Sequence, residues 1–190
     1  IYVDRTIEKK FLVMLRESVS RLKVGDAADP ATEVGPLIRP AEADRVDDWV
    51  QEAVKLGGKI ITGGTRMDGN FYQPTVIHEP PPEAKVSGQE IFGPVVCVYA
   101  YDDFDEALNA VNIHPHAFQA AIYTRDLDAM YAAYDAFDAS AVMVNDHTAF
   151  RVDWMPFGGR DASGIGMGGI GYSMHEMTRE KLMVIKSKVL

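Results

Sequence analysis

Val95-Val96-Cys97-Val98-Tyr99-Ala100 is an unbroken apolar run set directly behind the turn pair Gly93-Pro94. A strand with one wet face alternates apolar and polar residues. A run without alternation suits a strand covered on both faces, as in a parallel sheet. The residues downstream continue the pattern. Phe104, Ala107, Leu108 and Val111 share one face of a predicted helix. Gln119–Thr124 reads as a strand, Leu127–Phe137 as a helix, and Ala141–Asn145, with the apolar run AVMV, as a further strand. This β-α-β-α-β alternation predicts an α/β fold: a mainly parallel twisted sheet with helices on both faces. In such sheets, ligands bind beyond the carboxyl ends of the strands.

Upstream, residues 1–4 read as a strand, and Thr6 is a candidate cap for a helix reaching about Leu22, with Ile7, Phe11, Leu15, Val19 and Leu22 at helical spacing. Pro40 suits the first turn of a second helix that presents Val46, Trp49, Val50, Ala53 and Val54 and stops at Gly57-Gly58. Lys59–Thr62 and Pro74–Ile77 are short strand candidates. Downstream, residues 145–171 read as a long loop with seven glycines in its last fourteen positions. Tyr172 to about Thr178 reads as a short helix and Lys181–Val189 as a final strand.

Composition narrows the function classes. At 190 residues and 47% apolar, the chain suits one globular domain or a domain with an appendage. Net charge is −9 with the acidic residues scattered, and no basic stripe offers a nucleic acid its phosphate contacts. No apolar run approaches the ~20 residues a bilayer span needs. A single cysteine, Cys97, excludes an internal disulfide and fits a reducing compartment, so the cytoplasm is expected. Cys97 lies inside an apolar strand, the setting of an inert buried thiol rather than a nucleophile. The chain begins Ile1-Tyr2-Val3 in mid-strand, so a fragment of a longer protein is expected.

Ser87-Gly-Gln-Glu90-Ile-Phe92-Gly-Pro94 places a carboxylate and a ring at the entry of the buried strand. It reads either as a grip on a polar, ring-containing ligand or as a plain acidic loop. Gly166-Met-Gly168-Gly-Ile-Gly171 matches the dinucleotide-turn pattern, but Arg160-Asp-Ala-Ser163 before it does not read as a strand, and no acidic residue follows at the required distance. A flexible or tightly packed glycine loop, where backbone passes close to something, is preferred. His114-Pro-His116 lacks a third ligand at suitable spacing, so no metal is expected. Asn145 and His147 follow a buried strand, where either ligand contacts or an Asx turn is in keeping. Arg151 and Trp154 either line a pocket for an anionic substrate or pack their loop.

Taken together, four segments resemble the aldehyde dehydrogenase superfamily: Val34-Gly-Pro-Leu37, Phe71-Tyr-Gln-Pro-Thr75, Glu90-Ile-Phe-Gly-Pro94, and Pro156-Phe-Gly-Gly159 with Ser163-Gly-Ile-Gly166. The resemblance covers essentially the whole chain and is to the carboxyl-terminal part of such an enzyme. It implies a catalytic-domain portion over 1–157, a glycine-rich return loop and short helix over 158–178, and an oligomerisation strand over 179–190. It implies NAD or NADP as cofactor, with the Glu90 carboxylate on the nicotinamide ribose and the Phe92 ring near the nicotinamide. Phe157 would line the substrate tunnel, and the loop over 145–155 would shape the pocket. The implied reaction oxidises a small-molecule aldehyde to an acid through a cysteine thioester in a homodimer or homotetramer. Nucleophile and base are expected upstream of Ile1, so no catalytic residue is assigned and the chain alone is expected to be inactive. His116-Ala-Phe-Gln119 departs from the family pattern, which often has Tyr-Gly-Leu there. Two other readings remain: a non-catalytic interaction module on the same fold, and a relative that acylates coenzyme A.

Overall fold

The computed structural model describes residues 1–113 and 116–189. The chain forms two compact units, residues 1–107 and residues 108 onward. The first holds β1 (Tyr2–Asp4), α1 (Glu8–Ser20), α2 (Pro40–Lys55), β2 (Lys59–Thr62), β3 (Thr75–His78), α3 (Lys85–Gly88) and β4 (Val95–Tyr101). Its sheet has the order β1-β4-β3-β2. β4 runs parallel to both neighbours, and β2 closes the edge antiparallel to β3. The fold is α/β with a mixed, mostly parallel sheet.

Two adjacent residues of β3 show how the layers form. Successive strand residues point to opposite faces. Ile77 joins Val46, Val50 and Ala53 of α2 with Tyr72 and Ala84 in one core. Val76 joins Val3 and Val98 in another, against Phe11, Leu12, Leu15 and Val19 of α1. Helices therefore cover both faces of this sheet. In α2, Ala43, Val46, Val50 and Ala53 are all fully buried at steps of three and four. Pro40 sits in its first turn behind an extended Arg39. The helix ends at Gly57, whose φ of 117° is open to glycine alone, and Gly58 N–H donates to the Ala53 carbonyl at 2.9 Å.

The boundary between units falls inside α4 (Phe104–Val111). Beyond it lie β5 (His116–Ala117), β6 (Gln119–Ile122), α5 (Leu127–Ala136), β7 (Ala141–Val144), β8 (Arg160–Asp161) and α6 (Ile170–Met177). Asp126 caps α5 by accepting from the backbone N–H of Asp128 at 2.8 Å and of Ala129 at 3.1 Å.

Several expectations are corrected. β6 and β7 pair parallel with each other in a two-stranded sheet, whereas a single sheet with β4 was expected. The apolar runs are less covered than their composition suggests. Val96 is 37% exposed although Val98, on the same face, is fully buried. Thr6 does not cap α1. Its N–H and hydroxyl both donate to Asp4 Oδ1, and Ile7 takes the cap position without a side-chain bond. Val54 lies off the buried stripe, 38% exposed. Arg160-Asp161, read as non-strand, forms β8 antiparallel to β5. Residues 181–189 form no strand, because they find no hydrogen-bonding partner among the described residues. Leu182, Met183, Val184 and Ile185 are 70–87% exposed. His114 lies outside the described residues.

Candidate functional site

The arm carrying Glu90 and Phe92 is held to the first unit along its whole length. Ser87 Oγ accepts from the Tyr99 hydroxyl at 2.8 Å and donates to the Pro81 carbonyl at 2.9 Å. The Cys97 thiol donates to the Val86 carbonyl at 3.5 Å. Lys85 Nζ pairs with Glu52 at 3.0 Å. Further on, Arg45 Nη2 donates to the Ile91 carbonyl at 2.6 Å, and the Pro94 carbonyl accepts from Thr75 N–H at 2.8 Å. Gly93 lies against α2 so closely that an added Cβ would sit 2.8 Å from Val46 Cγ2. Between these anchors the two candidate side chains project outward. Glu90 is exposed, and Phe92 is 77% exposed with φ of 45°. A bulky residue in that left-handed region is strained, and such strain clusters at functional positions.

Cys97 is half-buried, and burial pushes its thiol pKa up, which suits an inert group. Burial likewise raises the Tyr99 hydroxyl. Among the described residues, Glu8, His78 and Glu79 form a group of potential metal ligands. Glu8 Oε1 lies 2.6 Å from His78 Nε2, off hydrogen-bond geometry.

In the second unit, Asn145 takes φ of 57° at the end of β7. Its side chain bonds twice to one neighbour: Nδ2 donates to the Thr124 carbonyl and Oδ1 accepts from Thr124 N–H, each at 2.9 Å. The amide thus ties the residue after β7 to the segment that follows β6. His147 is exposed, and its Nδ1 accepts from Ala149 N–H at 3.2 Å. Trp154 is 75% exposed. Arg151 and Phe157 are brought together, with the guanidinium carbon 3.7 Å from the ring centroid. Phe118 meets the other ring edge-on at 4.9 Å. Arg151 itself is exposed and makes no ion pair among the described residues.

The glycine loop is tightly packed at Gly158, Gly159 and Gly169. An added Cβ on Gly158 would lie 2.6 Å from the Gly166 carbonyl, and one on Gly159 would collide with the Ser163 carbonyl. Phe157 and Gly168 exchange both backbone hydrogen bonds, at 3.1 and 2.7 Å. The G-x-G-x-x-G stretch thus braces Phe157.

Two residues outside the expected set hold these segments: Arg45 and Phe118. Neither carries a local signal. Arg45 stands 46 positions from the Ile91 carbonyl it binds, and Phe118 appeared only as part of a departure from the family pattern.

The sequence profile of the aldehyde dehydrogenase family matches residues 1–183. The chain belongs to the aldehyde dehydrogenase family. A 3-sulfolactaldehyde dehydrogenase of Priestia megaterium is 42% identical over 185 residues, covering 97% of this chain and 39% of the relative. A lactaldehyde dehydrogenase of Methanococcus aeolicus is 32% identical over 189 residues, covering 99% and 40%. Among solved structures, aldehyde dehydrogenase 21 from Physcomitrella patens, in complex with the reaction product succinate, superposes with a TM-score of 0.89. It is 40% identical and covers 93% of this chain and 36% of that one. Glyceraldehyde-3-phosphate dehydrogenase GapN from Methanocaldococcus jannaschii, complexed with NADP, gives 0.88 at 33% identity, covering 93% and 38%. This aldehyde dehydrogenase chain therefore spans about two fifths of the relatives' length. Among the described residues, no helix is long and apolar enough to cross a membrane.

Proposed function

We propose that this chain is the carboxyl-terminal part of an NAD(P)-dependent aldehyde dehydrogenase, and that residues 90–94 orient the cofactor. The observation that carries this reading is the Glu90–Phe92 pair: a carboxylate with no partner among the described residues and a bare ring, exposed on an arm fixed at Ile91 and Gly93. An acceptor beside an exposed aromatic face fits a ligand that offers hydroxyls next to a ring. Bound NAD(P)+ supplies the hydride acceptor. Glu90 holds the ribose hydroxyls and so fixes the angle of the nicotinamide, while Phe92 limits its sliding. Orientation of this kind lowers the barrier to transfer without new chemistry from the chain. The nucleophilic cysteine that forms the thioester and the general base belong to the rest of the enzyme. Cys97 is half-buried with its thiol pKa raised, so this chain alone is inactive. We place the enzyme in the cytoplasm, in keeping with the one free cysteine of this chain, Cys97.

Arg151 carries a further part of the proposal. Its guanidinium carbon sits over the Phe157 ring, and its donors have no partner among the described residues, an arrangement suited to a carboxylate, sulfonate or phosphate on the aldehyde. The sulfolactaldehyde dehydrogenase and the succinate complex among the similar proteins support an anionic aldehyde. Residues 179–189, which expose Leu182, Met183, Val184 and Ile185 between charged flanks, serve subunit pairing as an added strand.

The test of the central reading is single-turnover kinetics on the full-length enzyme. Glu90→Gln is expected to weaken cofactor binding and slow NAD(P)H formation by about tenfold or more, the scale of one charge-assisted hydrogen bond. Parent-like hydride transfer together with parent-like cofactor affinity would sink the reading.

A further inference from the structure

We infer that Arg45 is a positioning residue for hydride transfer, setting the aim of Glu90 and Phe92 through the peptide between them. The inference rests on the cofactor-arm reading of Glu90 and adds a residue that the family motif does not contain.

The geometry runs outward from α2. Arg45 is held in three ways while its side chain stays only 28% exposed. Its Nε donates to Glu42 Oε2 at 2.7 Å. Its guanidinium carbon stacks 4.6 Å from the Trp49 ring centroid. Its Nη2 reaches the Ile91 carbonyl at 2.6 Å. Glu42 is oriented in turn by Arg39, whose Nη2 donates to Oε1 at 2.8 Å. The last donor is thus aimed by a row of charges along one helix face, at i and i+3.

Ile91 is the one residue between Glu90 and Phe92, and its carbonyl belongs to the peptide leading into Phe92. The next anchor, Gly93 on Val46, lies one residue beyond. Phe92, at φ of 45°, is therefore confined between two contacts with consecutive residues of the same helix. A strained backbone persists only where its surroundings over-determine it. Arg45 is the polar half of that constraint and Val46 the apolar half. Without Arg45, the Ile91 carbonyl turns to water, the peptide relaxes, and the carboxylate and ring lose their fixed separation.

The experiment uses full-length enzyme with NAD(P)+ and an aldehyde substrate, with rates normalised to titrated active sites. Arg45→Met is expected to slow single-turnover hydride transfer by about ten- to hundredfold, the cost of misplacing a reacting group by about 1 Å. It should also raise the primary deuterium isotope effect with aldehyde deuterated at C1, because transfer becomes more fully rate-limiting. Arg45→Lys, which keeps a donor for Ile91 but loses the fork and the stack, is expected to recover part of the rate. Glu42→Gln, whose side chain is 20% exposed, keeps the parent's volume and should reduce the rate several-fold by loosening Arg45, and it serves if Arg45→Met does not fold. A role in stability alone would lower yield and melting temperature while leaving the rate per active site and the isotope effect unchanged. That result in both Arg45→Met and Glu42→Gln overturns the inference. In the double variant with Glu90→Gln, the two losses should not add, since one residue acts through the other; full additivity also overturns it. If Glu90→Gln alone has no effect, the arm reading itself fails. If Glu90→Gln slows transfer and Arg45→Met does not, only the role of Arg45 fails.

Discussion

Thr75→Val tests whether the Phe-Tyr-Gln-Pro-Thr segment serves packing or ligand contact. Thr75 is 1% exposed at the start of β3. Its hydroxyl accepts from Gly64 N–H at 2.8 Å and donates to the Gln73 carbonyl at 2.7 Å. Valine keeps the shape and removes both bonds, so no cavity complicates the result. Each bond contributes about 1 kcal/mol net, and the half-buried Gly64 N–H left without its acceptor adds to that cost, while water can reach the exposed Gln73. The expected loss is about 2–3 kcal/mol. With a urea slope of about 1–3 kcal/mol/M, the unfolding midpoint falls by about 1 M. Thr75→Ser supplies the control, since it keeps the hydroxyl and removes one methyl group at about 0.8 kcal/mol. Unfolding followed by Trp49 fluorescence should rank parent, Ser, then Val, and hydrogen exchange at the Gly64 amide should quicken in the Val variant alone. A Val variant as stable as parent, or more stable than Ser, refutes the reasoning.

Three further outcomes follow from the geometry. Arg151→Met should raise the KM for an anionic aldehyde by about tenfold or more while leaving a neutral aldehyde of equal length unchanged; equal loss on both would make Arg151 a packing residue for Phe157. On the alkaline side, Tyr72, Tyr99 and Cys97 all have their pKa values raised chiefly by burial. The unfolded chain then releases its protons first as pH rises, so stability is complete below the unfolded values and is lost as pH climbs through the folded ones. Urea midpoints measured across that range should fall, less steeply in Tyr72→Phe; a rise would contradict the assignment. Removal of the residues after Thr178 should dissociate the assembled enzyme in sedimentation, and an unchanged oligomer would exclude a pairing role for the tail.

What was legible in the sequence was local. α2 reads almost completely because Pro40, a run of apolar residues at steps of three and four, and Gly57 each act within a turn or two of their own position. β4 and β7 read as strands because their apolar runs are continuous. The choice of strand partner is a different matter. β6 pairs with β7 rather than with β4, and nothing in Gln119–Ile122 encodes which edge it meets. The tail shows the same limit, since an alternating segment becomes a strand only when a partner supplies hydrogen bonds. Thr6 lost its capping role to competition two residues away, where Asp4 captures both of its donors. In the candidate site, the sequence leaves two readings open for Asn145, because Thr124, which occupies both ends of its amide, lies 21 positions away. Arg45 was beyond reach, because the peptide it binds lies in another element.

The Glu90-Ile-Phe-Gly-Pro94 segment divides its residues by direction, and that division separates support from function. Ile91 packs against the core beneath α2, and Gly93 abuts Val46. Glu90 and Phe92, the alternate positions, face outward. A loop needed only to join α3 to β4 would place glycine or asparagine at a φ of 45°, where either residue avoids most of the roughly 1–2 kcal/mol that a larger side chain costs there. This chain instead holds a phenylalanine in that conformation and leaves 77% of it in solvent. Burial does not offset the strain, because the ring is scarcely buried. The offset comes from Arg45 and Val46 on either side, which fix the backbone whatever residue stands at 92. A constraint so placed leaves the ring and the carboxylate beside it free to meet a ligand from outside.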